Sequence, residues 1–575
     1  MAKGPEQKED AIRSKMVGWY DPGQLAVTGL QTVLSSMFAQ RADYRLIEAL
    51  QPPPDPESYV EHDELWIDYV ADVGDGFNST YAVACALARS ELPDEEGAAL
   101  PRGQLLIMGG DEVYPTPTAA GYKERLVAPY TLALAPVGEA YQPVLYAIPG
   151  NHDWYDGLGS FMNLFCQGHD IGAWKTKQKR SYFALKLAHR TWLFGVDIQL
   201  DSDIDNPQID YFMNLDIQVG DRILLCTAEP DWIYGNIYDV KKNLSVFEGK
   251  LLQKGAKIIL QLAGDLHHYR RHTLVGAGDV HLVTAGGGGA FLHPTHTHDV
   301  DVVKVGEANE KGVTAYALNK ETEYPSRAIS RWLGLRNIPF FIYNPWFGIV
   351  PGAIYTVLSW VMPPSVPAAG SPFDRLSSAI SHGLHEIAEH PSGLVWVVAV
   401  LLGFVVFTDT HKPFYKWLGG LTHGAAHLAG ALGVSMVAGH LVAQVSEDLV
   451  IQRLLGSLLI FIGGYLVGSL LMGLYLAISV CVFRRHGNEA FSALRIEGYK
   501  NFLRMRLDAS GVTVWAFALD RVPGDGQWRD VRGKDGHRRP EPTADAPKIE
   551  PRVIDHFFIP RAPSPKKKAR KKDLG

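Results

Sequence analysis

The chain has 575 residues, with 55 Lys and Arg against 62 Asp and Glu, and four cysteines. A single hydrophobic core does not extend over that length, so two or more domains are expected. The mildly acidic balance gives no electrostatic case for a nucleic-acid partner, and cysteines scattered at 85, 166, 226 and 481, none in a CxxC pair, argue against a disulfide framework and fit a reduced compartment.

Residues 1–20 contain no apolar core, so no cleavable secretory signal of the usual kind is expected. Residues 25–38 are apolar and suit an amphipathic helix, which the sequence leaves open between a membrane surface and a core. Short apolar runs at 67–71, 105–108, 145–148, 192–198, 222–227, 258–262 and 280–284 alternate with polar and helical stretches. That pattern predicts an α/β domain over 1–338, with strands buried on both faces.

Hydropathy changes near residue 340. Residues 337–373 carry no Asp, Glu, Lys or Arg, and apolar stretches suit four spans at about 341–362, 392–409, 422–445 and 455–483. A transmembrane domain is therefore predicted over 339–485. Arg327, Arg331 and Arg336, then Lys412 and Lys416, then Arg484 and Arg485 make three connections richer in basic residues than the other two. The positive-inside bias places both termini in the cytoplasm. Residues 486–562 read as a small cytoplasmic α+β or all-β domain. It has strands at 503–507 and 512–519, joined by a turn at Ala509, Ser510 and Gly511, and a Pro- and Gly-rich loop at 523–551. The basic tail at 563–575 either meets anionic inner-leaflet lipid or is simply solvated.

Four of the apolar runs end in metal-ligand side chains: Asp72-Val73-Gly74-Asp75, Gly109-Gly110-Asp111, Gly150-Asn151-His152-Asp153 and Gly264-Asp265-Leu266-His267. In open α/β sheets, residues just past the carboxyl ends of strands converge on one crevice. Carboxylates, an amide oxygen and imidazoles gathered there make a site for two divalent cations, which is the chemistry of phosphoester hydrolysis.

In order and spacing these motifs resemble those of the calcineurin-like metallophosphoesterases, over about residues 60–300. The resemblance implies an α/β/β/α sandwich and a set of roles. Asp72 and His267 would bind the first metal, Asp111 would bridge both, and Asn151 would bind the second. His152 would lie near the phosphate and assist the leaving group, while a hydroxide held by the two metals attacks phosphorus in line. Three positions depart from the family pattern. Gly74 stands where a His is usual, with Asp75 next along as a substitute. Asp265 replaces the first His of Gly-His-x-His, and Glu229 in Cys226-Thr227-Ala228-Glu229-Pro230 is the candidate carboxylate for a lost His-rich segment. Carboxylates in place of imidazoles favour Mn²⁺, ahead of Mg²⁺, Fe or Zn²⁺. Arg270 and Arg271 are candidates to hold substrate phosphate, because guanidinium matches it bidentately. A solvated face is the competing reading. Gly286 to Gly289 with His293 and His296 read either as a close backbone approach to a ligand or as a flexible loop.

The stretches 17–22 and 488–495 resemble bacterial multi-span membrane proteins carrying such a domain, which implies the bacterial inner membrane. The leading expectation is a membrane-anchored phosphoesterase acting on a monoester or diester, with a membrane-proximal substrate. Two alternatives come from other classes. One is a non-catalytic phosphate or nucleotide sensor with a degenerate site. The other is a regulated transporter, for which His423, His427 and His440 in the third span are the candidate groups.

Overall fold

The computed structural model describes residues 13–561 except 30–51, 136–141, 199–203, 239–242, 277, 307–313, most of 362–390, 409–411 and 534–537. The stretch at 25–38 is described only as far as 29, helical over 22–29, and the basic tail lies outside the described residues.

Period-two alternation sets up two cores. In the strand Leu65–Val70, Leu65, Ile67 and Tyr69 enter one core, while Trp66 and Val70 enter another on the opposite face. The first core lies between two facing sheets. One has nine strands in the spatial order Glu57–Tyr59, Phe183–Leu187, Thr191–Gly195, Arg222–Cys226, Lys257–Ala263, His281–Ala285, Tyr269–Leu274, Thr314–Leu318 and Val302–Val305. The other has seven, in the order Arg552–Pro560, Gly511–Leu519, Lys500–Leu507, Leu65–Val70, Leu105–Met108, Val144–Ala147 and Lys175–Thr176. Leu193, Leu224, Leu260 and Val283 of the first sheet meet Ile67, Ile107, Tyr146, Met505 and Val514 of the second. Helices Phe77–Leu87 and Gly159–Phe165 cover the outer face of the second sheet, and Asn206–Asn214 and Asn243–Gln253 cover that of the first. The layers are therefore α/β/β/α.

The separate domain expected at 486–562 is not there. Strand Lys500–Leu507 pairs antiparallel with Leu65–Val70, and Gly511–Leu519 and Arg552–Pro560 continue the same sheet. Arg504 fixes the register: its Nε and second Nη reach Asp68 Oδ1 and Oδ2 at 2.8 and 3.0 Å, across 436 residues of sequence. A sandwich boundary at 338 is corrected for the same reason, because the apolar helices are an insertion between strands of one sandwich. The loop expected at 523–551 also contains a hairpin, Trp528–Arg532 with Arg538–Pro542, held by buried Trp528 against Phe77 and Tyr81.

Among the described residues, the insertion contains four apolar helices: α1 (Ile349–Val361), α2 (Pro391–Phe407), α3 (Pro413–Ala443) and α4 (Leu449–Ile478, continued by a wider turn Ser479–Phe483). Among the described residues, α3 and the continuous stretch Leu449–Phe483 are long and apolar enough to cross a membrane, whereas α1 and α2 have 13 and 17 residues. Met472, Leu476 and Val480 pack with Phe340, Phe347, Phe291 and Phe491, so the helices share a core with the sandwich.

Candidate active site

Every motif lies past the carboxyl end of a strand. Asp72 follows Leu65–Val70, Asp111 follows Leu105–Met108, Asn151 and His152 follow Val144–Ala147, and Asp265 and His267 follow Lys257–Ala263. The first three strands are adjacent and parallel. Asp72, Asp111 and Asp265 all hold left-handed backbone, at φ of 58°, 55° and 63°. Such conformations cost non-glycine residues of order 1–3 kcal/mol each and persist where the surroundings impose them, commonly at functional sites. Glycines make the room. A Cβ on Gly150 would stand 2.0 Å from Asp111 Oδ1, and one on Gly264 would stand 2.4 Å from Asp72 Oδ2.

The centre of the cluster is a residue the motifs do not name. The Tyr114 hydroxyl lies 3.2 Å from Asp72 Oδ1, 3.1 Å from Asp111 Oδ2 and 3.1 Å from His267 Nε2. His267 Nε2 is 3.4 Å from Asp72 Oδ1. His267 Nδ1 sits 2.6 Å from the Phe291 carbonyl, so Nδ1 carries the proton and Nε2 presents a lone pair. Three acceptors thus surround a phenol that has one proton to give. In a tetrahedral or octahedral shell with metal–ligand bonds of about 2.0–2.1 Å, neighbouring donors stand roughly 2.9–3.4 Å apart. The spacing here suits donors around one cation and is also that of ordinary hydrogen bonds to the phenol. Among the described residues, His, Cys, Asp and Glu alone form no metal-holding group of three; the Tyr114 oxygen is what joins Asp72, Asp111 and His267 into a set. Asp111 is followed three residues later by Tyr114, a spacing present in the sequence, but phenol is an uncommon ligand and no motif marks it.

The electrostatics match. Burial and then carboxylate–carboxylate repulsion, from Asp111 and Asp265 on Asp72 and from Asp153 and Asp265 on Asp111, push both carboxyls well above the usual range. Burial pushes His267 well below its usual value. Among the described residues, no guanidinium is a main offset to the Asp72 and Asp111 charges; the Lys500 ammonium is buried nearby, pushed down to about 8 by that burial, and donates to the Ala290 carbonyl.

The remaining residues divide. The Asn151 amide faces Asp111, one terminal atom lying 3.3 and 2.9 Å from its two oxygens; as nitrogen that atom donates, as oxygen it is a further donor beside the carboxylate. His152 N–H donates to Asp111 Oδ1 at 2.8 Å, and its Nδ1 sits 2.7 Å from the Pro115 carbonyl. Burial pushes the His152 imidazole down to about 4, so it is neutral in this state. Asp265 accepts from Tyr234 while its N–H donates to Asp72. Asp153 shapes the loop, accepting from the Gly150 and Glu112 N–H groups.

Asp75 does not replace the missing histidine. Its oxygens accept from the N–H groups of Val17 and Phe291 at 2.9 and 3.2 Å, so it ties down an N-terminal strap instead. That strap lays Trp19 edge-on to His152 and Phe291. Glu229 is half-buried, and its negative charge adds to the burial and the Asp265 carboxylate that push the Tyr234 phenol above its usual range. Arg270 and Arg271 are buried and committed. Arg270 Nε donates to Glu323 at 2.6 Å, and Arg271 grips Asp555 bidentately at 2.6 and 3.0 Å. Both guanidinium groups are thus engaged by carboxylates in the interior, with Arg270 Nη1 left without a hydrogen-bond partner. Removing one partner of a buried pair costs about 3–5 kcal/mol, so Arg271→Ala is expected to lower the melting temperature while leaving KM for any phosphoester unchanged. Gly286 and Gly288 pack against Asp72 and Ala71, and His293 stacks on His267 at 3.8 Å, so the glycine run lies close against the strand end that carries Asp72. His296 is structural, held by Ser330 and the Val480 carbonyl.

No family model and no curated protein matches the chain. Solved structures do. GAP50, the anchor in the inner membrane complex of Plasmodium, is 12% identical at a TM-score of 0.30, over 40% of this chain and 74% of that one. Purple acid phosphatase PPD1 from yellow lupin (Lupinus luteus) seeds is 11% identical at 0.29, over 46% and 49%. PhoD is 11% identical at 0.27, over 41% and 59%. The chain spans about half of the second and three fifths of the third, and likeness of this size carries no argument about activity.

Proposed function

We propose that this chain is a membrane-anchored, divalent-cation-dependent phosphoesterase acting on a phosphomonoester or phosphodiester. The observation that carries the reading is the surplus of lone pairs: Asp72 Oδ1, Asp111 Oδ2 and His267 Nε2 converge on the single proton of Tyr114. Asp72, Asp111, Tyr114 and His267 would hold one cation. Asn151 and Asp265 are donors for a second that shares Asp111. Bound cations supply Lewis-acid polarisation of the phosphoester and an acidified water. Among the chain's own groups, Asp111 and the His152 N–H fix the geometry of the Asn151 loop. His152 enters neutral, and an anionic phosphoester beside it would raise its pKa toward the value a leaving-group acid needs. Anchoring is supported by apolar side chains left bare on the helices, Val395, Val406, Leu449 and Leu454 among them. Basic Arg484 and Arg485 follow the last one. We place the sandwich on the cytoplasmic side of a bacterial inner membrane on that charge pattern.

The test offers aryl phosphomonoester and diester to the detergent-purified protein with Mn²⁺, Mg²⁺ or Zn²⁺. Hydrolysis that Mn²⁺ sustains and chelation removes is expected; tight zinc activation would overturn the choice of manganese. Asp75's commitment to the strap favours one further reading, a single-cation phosphate sensor, which would show cation binding without turnover. Tyr114→Phe separates a donor from a packing phenol: loss of about tenfold in cation affinity is expected by titration calorimetry, with no change if the ring merely packs.

A further inference from the structure

Beside the site lies a cavity of about 280 Å³. One wall is the rim of the cluster, Asp265 and His293. The other is the turn that leaves the last apolar helix, with Arg484, Arg485 and His486. Arg484 and His486 hold left-handed backbone, at φ of 57° and 56°, so the turn is held in a conformation that non-glycine residues resist. Two buried polar atoms around the cavity lack partners, Thr297 Oγ1 and Arg485 Nε. Unpaired donors and two guanidinium groups describe an anion site. Glu489, in the same wall, is set 3.7 Å from His486 Nδ1.

A second cavity, of about 340 Å³, lies among the apolar helices. Its lining includes Phe347, Pro351, Trp396, Gly403 and Phe407, and it contains no Asp, Glu, Lys or Arg. The two cavities meet at one ring pair. Phe407 lines the apolar cavity, His486 lines the polar one, and the rings stack at 5.8 Å and 9°. A small soluble ester would have no use for the apolar half.

We propose that the substrate is a membrane lipid bearing a phosphate-ester headgroup, with the headgroup in the polar cavity against Asp265 and the acyl chain in the apolar cavity among α1, α2 and α3. This rests on the phosphoesterase reading above. For phosphatidic acid as the probe, water oxygen bonds to phosphorus and the P–O bond to glycerol breaks. The glycerol oxygen gains the proton that water loses, giving diacylglycerol and inorganic phosphate.

Two arms keep the failures of the two readings apart. In the first, native mass spectrometry of the full chain reads retention of short-chain phosphatidic acid, inorganic phosphate and short-chain diacylglycerol. Retention of phosphatidic acid about tenfold above either of the others is expected, and is expected to fall in Gly403→Phe and in Arg485→Gln. A Cβ added at Gly403 meets nothing within 4 Å, so the position has open space in front of it, and an unchanged melting temperature of the variant checks that the larger ring leaves the fold intact. Phosphatidic acid retained no better than diacylglycerol, or no better than phosphate, overturns the lipid assignment. In the second arm, turnover of phosphatidic acid in phosphatidylcholine vesicles is compared with turnover of an aryl phosphate. A ratio that falls about tenfold in Gly403→Phe supports the assignment, and an unchanged ratio overturns it. Selective retention with neither ester hydrolysed upholds the lipid site and sinks the phosphoesterase reading; aryl turnover without lipid retention does the reverse.

Discussion

Asp111→Asn is expected to abolish cation-dependent hydrolysis and to leave the protein no less stable in the absence of cations. Asp111 Oδ2 is one of the three acceptors around Tyr114, and its other oxygen takes the His152 N–H. Asparagine keeps the shape and one acceptor oxygen but removes the charge that a cation needs. Loss of roughly 4 kcal/mol of transition-state stabilisation, roughly a thousandfold in kcat/KM, is the expected scale. The stability side follows from linkage. The folded value of Asp111 is raised above its unfolded value of about 3.9. Between those values the native state holds more protons than the unfolded chain, so stability falls as pH rises through that interval. Asn removes that loss, and the cation-free melting temperature of the variant should depend less on pH above about 4 than that of the parent. A variant that loses activity by unfolding would show the opposite, a lower melting temperature at every pH. A variant that keeps full turnover would show that Asp111 takes no part in the chemistry.

The sequence made the site legible where information was local. Each strand-ending Asp, Asn and His is announced by the apolar run before it, and Leu105–Met108 falls where that run places it. The same locality explains the misreadings. Arg270 and Arg271 look like phosphate hooks only while Glu323 and Asp555, 53 and 284 residues on, are out of view. Asp75 looks like a substitute ligand until the strap at Val17 claims it across 58 residues. Tyr114 was near enough to read, three residues past Asp111, but a phenol surrounded by carboxylates is recognisable only once the fold closes around it. The apolar insertion hid the greatest distance of all. It divides one sheet into pieces that hydropathy assigns to different domains.

Breaking the Asp68–Arg504 pair is expected to show that those pieces are one structure. Arg504 is fully buried; its guanidinium holds both Asp68 oxygens and the Leu100 carbonyl, and the remaining Asp68 contact is the Gly103 N–H. Arg504→Leu would strand a buried carboxylate between strands Leu65–Val70 and Lys500–Leu507. The cost is about 3–5 kcal/mol, a large part of a total stability of about 5–15 kcal/mol. In detergent this should lower the melting temperature by on the order of 5 °C. Adding Asp68→Leu removes the stranded charge, and an apolar pair in place of a buried ion pair is often neutral or better. The double variant should therefore recover most of the loss, giving a strongly coupled cycle. Two residues in independent domains would instead give additive effects. Additivity would break the register between the strands, and with it the placement of Lys500 and the Gly287 carbonyl–Asn501 N–H contact at 2.9 Å that brings the post-helical segment against the site. A strong coupling means that the strand before the apolar helices and the strand after them are neighbours in the sheet that carries Asp72 and Asp111. The segment that returns from the last helix is then tied to the site through Lys500–Leu507, which is what the proposed headgroup cavity beside the cluster needs.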